Sequence, residues 1–93
     1  MKIILRPLGT LQHYFGNSRI EVACSPGITF FQLCEVIDRR WGSLLPSGLW
    51  NANTRRFMPQ VMVMLGDKEL GRQDDPVLNE GQEVLLLVPF SGG

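Results

Sequence analysis

The sequence predicts an α+β domain in which a mixed sheet of four to five strands packs against one main helix. Three observations carry that prediction. Apolar residues alternate at both ends of the chain, a stripe with helical spacing lies between them, and turns rich in glycine, proline, asparagine and aspartate punctuate the rest. With 93 residues the chain is long enough to fold around one core of its own, which predicts a single domain over residues 1–93. Residues 89–93 are expected to extend from it as a C-terminal tail.

Lys2 to Leu8 reads as the first strand, with Ile3 and Leu5 on one face and Ile4 and Arg6 on the other. Pro7 would be awkward in the middle of a sheet and is tolerable at a strand end. Gly9 to Ser18 is expected to be a connection. Arg19 to Ala23 follows as a second strand whose Ile20 and Val22 can meet the core, and Pro26-Gly27 ends it. Thr29 then opens the helix. Gln32 stands three positions on, so the two side chains can satisfy each other's backbone donors in a capping box. Phe30, Leu33, Cys34, Ile37 and Trp41 form its apolar stripe, while Phe31 and Val36 fall beside it. Arg39 and Arg40 suit the negative end of the helix dipole, and Gly42 is the expected stop.

Periodicity fails from Ser43 to Pro59, which reads as a long irregular excursion with room for a short helical turn. Trp50 and Phe57 are its expected anchors. Gln60 to Leu65 is the third strand, Gly66-Asp67 a turn, and Lys68 to Leu70 a short return. Asp74-Asp75-Pro76 should start a tight segment that delivers Val77 and Leu78 to the core. The last strand, Glu83 to Val88, is almost wholly apolar and belongs in the centre, parallel to the first. Its outward-facing residues would then form a partly exposed apolar patch, of the kind that marks a partner surface.

Composition removes several classes of function. Nine Lys and Arg balance nine Asp and Glu, whereas phosphate backbones demand an excess of positive charge, so no nucleic-acid partner is expected. No apolar stretch is long enough to span a bilayer, and the opening residues lack a signal peptide's pattern, which predicts a cytoplasmic protein without a membrane partner. Cys24 and Cys34 lack metal-ligand spacing and read as small buried thiols. His13 reads as a surface residue, Asp74-Asp75 as turn and helix-start residues, and Gly9, Gly16 and Gly27 do not form a phosphate-binding loop. No metal or bound cofactor is expected in this chain.

The most informative feature is the end of the sequence. Gly92-Gly93 follows the last strand after a short Pro89-Phe90-Ser91 neck. Glycine loses the most entropy on ordering and has no side chain to pack, so the pair adds little to a fold. It suits a terminal carboxylate that must enter a narrow active site on another protein. A frayed end is the plainer alternative.

These residues together resemble the MoaD/ThiS family of ubiquitin-like sulfur carriers, over nearly the whole chain. The resemblance lies in Ile3-x-Leu5 with Leu8-Gly9-Thr10-Leu11, Pro26-Gly27-Ile28-Thr29-Phe30 with Leu33 and Ile37, and Val61-Met62-Val63-Met64-Leu65-Gly66. It continues through Asp75, Val77-Leu78, Glu80-Gly81 and Glu83-Val84 to Pro89-Phe90-Ser91-Gly92-Gly93. The chain departs from the commoner family pattern at Gln12-His13, Leu65-Gly66 and Phe90-Ser91, and its 44–59 excursion is similar to that of the longer carriers.

The resemblance implies a ubiquitin-like β-grasp fold and a carrier that is not itself an enzyme. An E1-like adenylating enzyme would use ATP and magnesium to form an acyl-adenylate on Gly93. A sulfur-donor system would then convert it to a thiocarboxylate. The implied acceptor is the large subunit of molybdopterin synthase or another sulfur-accepting enzyme, with molybdopterin formation the leading role. Phe90 and Pro89 would dock the tail, Ser91 and Gly92 would thread it, and Gly93 would react. An ordinary α-carboxyl has a pKa of about 3.3–3.7, so it would be ionised at neutral pH. The tail's extended reach would be about 13 Å. The alternatives are a carrier for thiamine, cysteine or another metabolite, a ubiquitin-like protein modifier, and, last, a non-covalent interaction domain.

Overall fold

Strand β1 (Lys2–Pro7) pairs on both sides, antiparallel with β2 (Ile20–Ala23) and parallel with β7 (Glu83–Leu87). The computed structural model describes residues 1–89. Strand β5 (Met62–Leu65) runs antiparallel to β7 and carries the short return β6 (Lys68–Glu69) on its far side, giving the order β2-β1-β7-β5-β6. The apolar last strand is therefore central, as its sequence demands. Pro7 sits at the end of β1, where its missing N–H costs no ladder bond, and Leu8 N–H resumes the pairing by donating to Leu86 O at 2.8 Å.

Helix α2 (Phe30–Trp41) lies across one face of this sheet. Its stripe of Phe30, Leu33, Cys34, Ile37 and Trp41 is buried with Ile3, Leu5, Val22, Val63, Val84 and Leu86 in one core. The capping box forms: Thr29 Oγ1 accepts from Gln32 N–H, and Gln32 Oε1 accepts from Thr29 N–H at 2.9 Å. A third partner comes from far along the chain, since Phe31 N–H donates to Asp75 Oδ1 at 2.7 Å. Phe30 N–H also donates to Pro76 O, and Leu78 N–H to Ile28 O, so the 74–78 segment is tied across the start of the helix. A mixed five-stranded sheet packed against this helix is a ubiquitin-like β-grasp fold.

Three expectations need correction. Residues 9–18 are not a plain connection but hold a short helix, α1 (Thr10–Phe15), which buries Leu11 and Phe15 and stops at Gly16 with a left-handed φ of 86°. Six residues are too few to register as helical periodicity. The 43–59 excursion is built around a second, two-stranded sheet, β3 (Trp50–Asn51) with β4 (Arg56–Phe57). Its turn is held by Asn51 Oδ1, which accepts from the N–H groups of Asn53 and Thr54, and Arg55 takes a left-handed φ of 56°. Two-residue strands show no alternation to read. Gly42 does end α2, as expected: it is the C-cap, with a right-handed backbone, its N–H donates to Asp38 O, and the Leu44 and Leu45 N–H groups donate to Trp41 O just beyond. Finally, only Leu78 reaches the core, at 1% exposed; Val77 pairs with Thr29 as an isolated bridge and stays 59% exposed.

Candidate functional site

The side of the sheet away from α2 is the candidate surface, and strand alternation builds it. In β1 the core takes Ile3 and Leu5, which leaves Ile4 and Arg6 on the other side. In β7 it takes Val84 and Leu86, leaving Leu85 and Leu87. In β5 it takes Val63, leaving Met62 and Met64. The register then sets Arg6, Leu85 and Met64 side by side, with Leu87 beside Met62. Ile4, Leu85, Leu87, Met62 and Met64 are half-buried and stand outside the core cluster. Two methionines in such a strip supply an adaptable apolar surface.

A polar rim borders the strip. Arg6 donates through Nε to Ser18 O at 3.2 Å and pairs with Glu83 at 3.1 Å. Lys2 and Arg19 converge on Glu21 at 3.3 and 3.2 Å. The hydrogen bond from Arg19, then that from Lys2, holds the Glu21 carboxyl below its ordinary range. Apolar centre and balanced charged rim together have the anatomy of a protein interface.

The last described residues follow the end of β7. Leu87, the last residue of β7, lies beside Met62; Val88 packs on the core and Pro89 is exposed. Phe90, Ser91, Gly92 and Gly93, the other expected tail and docking residues, lie outside the described residues.

The remaining candidates have structural roles. His13 is an exposed residue of α1 whose ring meets Tyr14 edge-on. Asp74 closes a turn by accepting from Gly71 N–H, and Asp75 caps α2. No group of three or more His, Cys, Asp or Glu that could hold a metal gathers among the described residues. No helix among them is long and apolar enough to cross a membrane. Cys34 is buried as expected, whereas Cys24 is half-buried and donates to Val22 O.

Burial pushes the Cys34 thiol up to about 12 from its ordinary value near 9. Below pH 9 the buried neutral thiol matches its unfolded state, so it costs nothing there. Between about pH 9 and 12 the unfolded chain ionises first, and the associated stability is lost as pH rises. We therefore expect iodoacetamide at pH 8 to label Cys24 and to leave Cys34 untouched until denaturant is added. Equal labelling rates in the native protein would contradict the buried placement.

Sequence reading missed how the second sheet is fastened. Trp50 donates its indole N–H to Asp38 Oδ1 at 2.9 Å, and Arg55 Nε lies 3.7 Å from Asp38 Oδ2. Arg56 stacks its guanidinium over Phe31 at 3.8 Å, on an open groove of about 550 Å³ that also meets Leu70 and Arg72. The one available signal was an anchor role for Trp50 and Phe57, and those rings do meet edge to face at 4.8 Å.

No family profile matches the sequence, and no curated protein matches it either. Solved structures do. SAMP1 from Haloferax volcanii superposes with a TM-score of 0.79 at 15% identity, covering 100% of both chains. A second crystal structure, of H. volcanii small archaeal modifier protein 1, gives 0.72 at 12% identity, covering 96% of this chain and 98% of that one. The solution structure of the H. volcanii HVO 2177 protein gives 0.75 at 20% identity, covering 100% of this chain and 87% of that one.

At these identities the likeness concerns the fold, and it redirects the functional expectation. Two of these structures bear the names of modifier proteins, and none of the three is named as a molybdopterin-synthase subunit. The expected role in molybdopterin formation is therefore withdrawn, and with it the ATP- and magnesium-dependent conversion of Gly93 to a thiocarboxylate. The large subunit of molybdopterin synthase is withdrawn as a partner for the same reason. The physical reason is that an activated terminal carboxyl group can be attacked by sulfur or by an amine alike, so the resemblance could not choose between them. Nothing in residues 1–89 favours the sulfur acceptor.

Proposed function

We propose that the protein is a ubiquitin-like protein modifier whose Gly93 carboxyl group is joined to lysine side chains of other proteins. The observation that carries this reading is a diglycine placed after the central strand of a body that matches SAMP1 over its full length. In this reading an E1-like adenylating enzyme of the cytoplasm activates the carboxyl group. The chain is the group transferred, and it is not the enzyme. Gly92 and Gly93 supply a backbone slender enough for that enzyme's active site, with Pro89 and Phe90 at the root. The strip of Ile4, Leu85, Leu87, Met62 and Met64 is the docking surface beside that root.

The test is the product. Tagged protein recovered from its own cells and digested should yield branched peptides in which Gly93 is linked to lysines of other proteins. Leu85→Arg should reduce them by on the order of 30-fold, the effect of losing a hot spot worth about 2 kcal/mol, while the fold persists. Recovery of free chain alone, with its adenylating enzyme present and active, would sink the reading.

A further inference from the structure

The arginines divide into two sets. Arg6, Arg19 and Arg55 pair with Glu83, Glu21 and Asp38, whereas Arg39, Arg40, Arg56 and Arg72 reach no carboxylate at ion-pair distance among the described residues. Two of the second set, Arg56 and Arg72, border the open groove of about 550 Å³ on the α2 side of the sheet.

The groove is built at the edge of the core. Phe30, Val61 and Val63 of the core line it, and Phe31, Phe57 and Leu70 add apolar side chains that the fold covers only in part. Leu70 is placed there by its N–H, which donates to Val63 O at 2.8 Å just past the end of β6. Covering these half-buried groups would free water from apolar surface, a main source of affinity in such a site.

Arg56 is positioned with donors to spare. Its guanidinium lies over the Phe31 ring at 3.8 Å, and its Nη1 donates to Thr54 O and Arg55 O at 3.2 and 2.9 Å. Those bonds hold the side chain at the groove and leave the Nε and Nη2 N–H groups without a protein acceptor among the described residues. Arg72 stands in the next turn, whose own acid is engaged: Asp74 accepts from Gly71 N–H at 2.7 Å, and Asp74 N–H donates back to Gly71 O. Glu69 also meets the groove, but its register opposite Met64 puts its side chain on the strip's face of the hairpin. The unopposed charge beside the groove is therefore positive.

A guanidinium fork matches a carboxylate with two parallel N–H···O bonds. Two such forks beside an apolar groove suit an acidic segment that carries an apolar side chain. They do not suit a nucleic acid, whose backbone demands a longer run of cations. We propose that this groove docks a short acidic segment of a partner protein, its apolar side chain against Phe31, Phe57 and Leu70 and its carboxylates on Arg56 and Arg72. The groove and the strip lie on opposite faces of the sheet, so this partner can hold the body while the strip is engaged. The inference goes beyond the modifier reading and does not depend on it.

The experiment titrates the nitrogen-15-labelled full chain with a capped peptide of sequence Asp-Glu-Leu-Phe-Glu-Asp and follows the backbone amide signals. Shifts should gather at Phe31, Phe57, Leu70 and Arg72 and spare Ile4 and Leu85. Arg72→Gln and Arg56→Gln should each weaken binding by about threefold, and together by about tenfold. Added salt should weaken it too. Two control peptides, one with lysine at the acidic positions and one with alanine at the apolar pair, should bind at least about tenfold more weakly. Arg72 is exposed, so Arg72→Gln decides the matter even if Arg56→Gln lowers the melting temperature. Equal binding of either control peptide, shifts centred on the strip, undiminished affinity in Arg72→Gln, or no shifts at about 1 mM peptide would overturn the proposal. The titration uses no conjugation machinery, so its failure leaves the modifier reading as it stands.

Discussion

Deletion of Gly93 should abolish conjugation while leaving the folded body intact. Among the described residues the buried apolar core runs from Ile3 to Leu86, and the last of them, Pro89, is exposed. Removing a residue beyond that point changes stability by no more than about 0.5 kcal/mol, which moves the melting temperature by less than about 4 °C. Activation is another matter. Shortening the tail withdraws the carboxylate by about 3.3 Å from wherever the partner's active site holds it. A misplacement of about 1 Å can already cost on the order of 100-fold in rate, so conjugate formation should become undetectable. Thermal melts and conjugate blots of wild-type and shortened chains, expressed equally, decide the matter. Undiminished conjugation through Gly92 would show that the diglycine is not the reacting end.

The elements legible in the sequence were those whose signal is local and repeated. Thr29 and Gln32 announce their capping box within four residues, and the α2 stripe repeats over three turns. The unbroken apolar run of β7 implied a central strand with a second, outward face, and that face is now the candidate surface. What escaped depends on partners distant in sequence. Asp75 caps a helix that starts 45 residues earlier, at Phe30, and no local pattern near Asp75 says so. Likewise Asp38 lies outside the apolar stripe of α2, and nothing near it in sequence shows that Trp50 and Arg55 come to it. Function followed the same division. The diglycine suggests carboxyl-group chemistry, but nothing in residues 1–89 separates a sulfur acceptor from an amine acceptor.

Trp50→Ala should be the most damaging single substitution in the body, costing about 3–5 kcal/mol. Trp50 is only 2% exposed although it comes from the irregular 43–59 region, so its ring fills volume that no neighbouring residue can reclaim. It packs edge to face on Phe57, a geometry that adds about 0.5–1.5 kcal/mol beyond burial. Its indole N–H also pins β3 to α2 through Asp38. Against a total stability of about 5–15 kcal/mol, the loss should lower the melting temperature by on the order of 20 °C. Trp50→Phe separates the two contributions. It keeps an aromatic ring but loses the hydrogen bond and part of the indole's volume, and the Asp38 side chain, 27% exposed, can turn to water. That variant should therefore lose about 1 kcal/mol for the hydrogen bond, plus a smaller packing term. Denaturant titration of both variants is the measurement. If Trp50→Ala cost less than about 1 kcal/mol, the β3–β4 sheet would not share the cooperative core, and it would instead open independently of the β-grasp body.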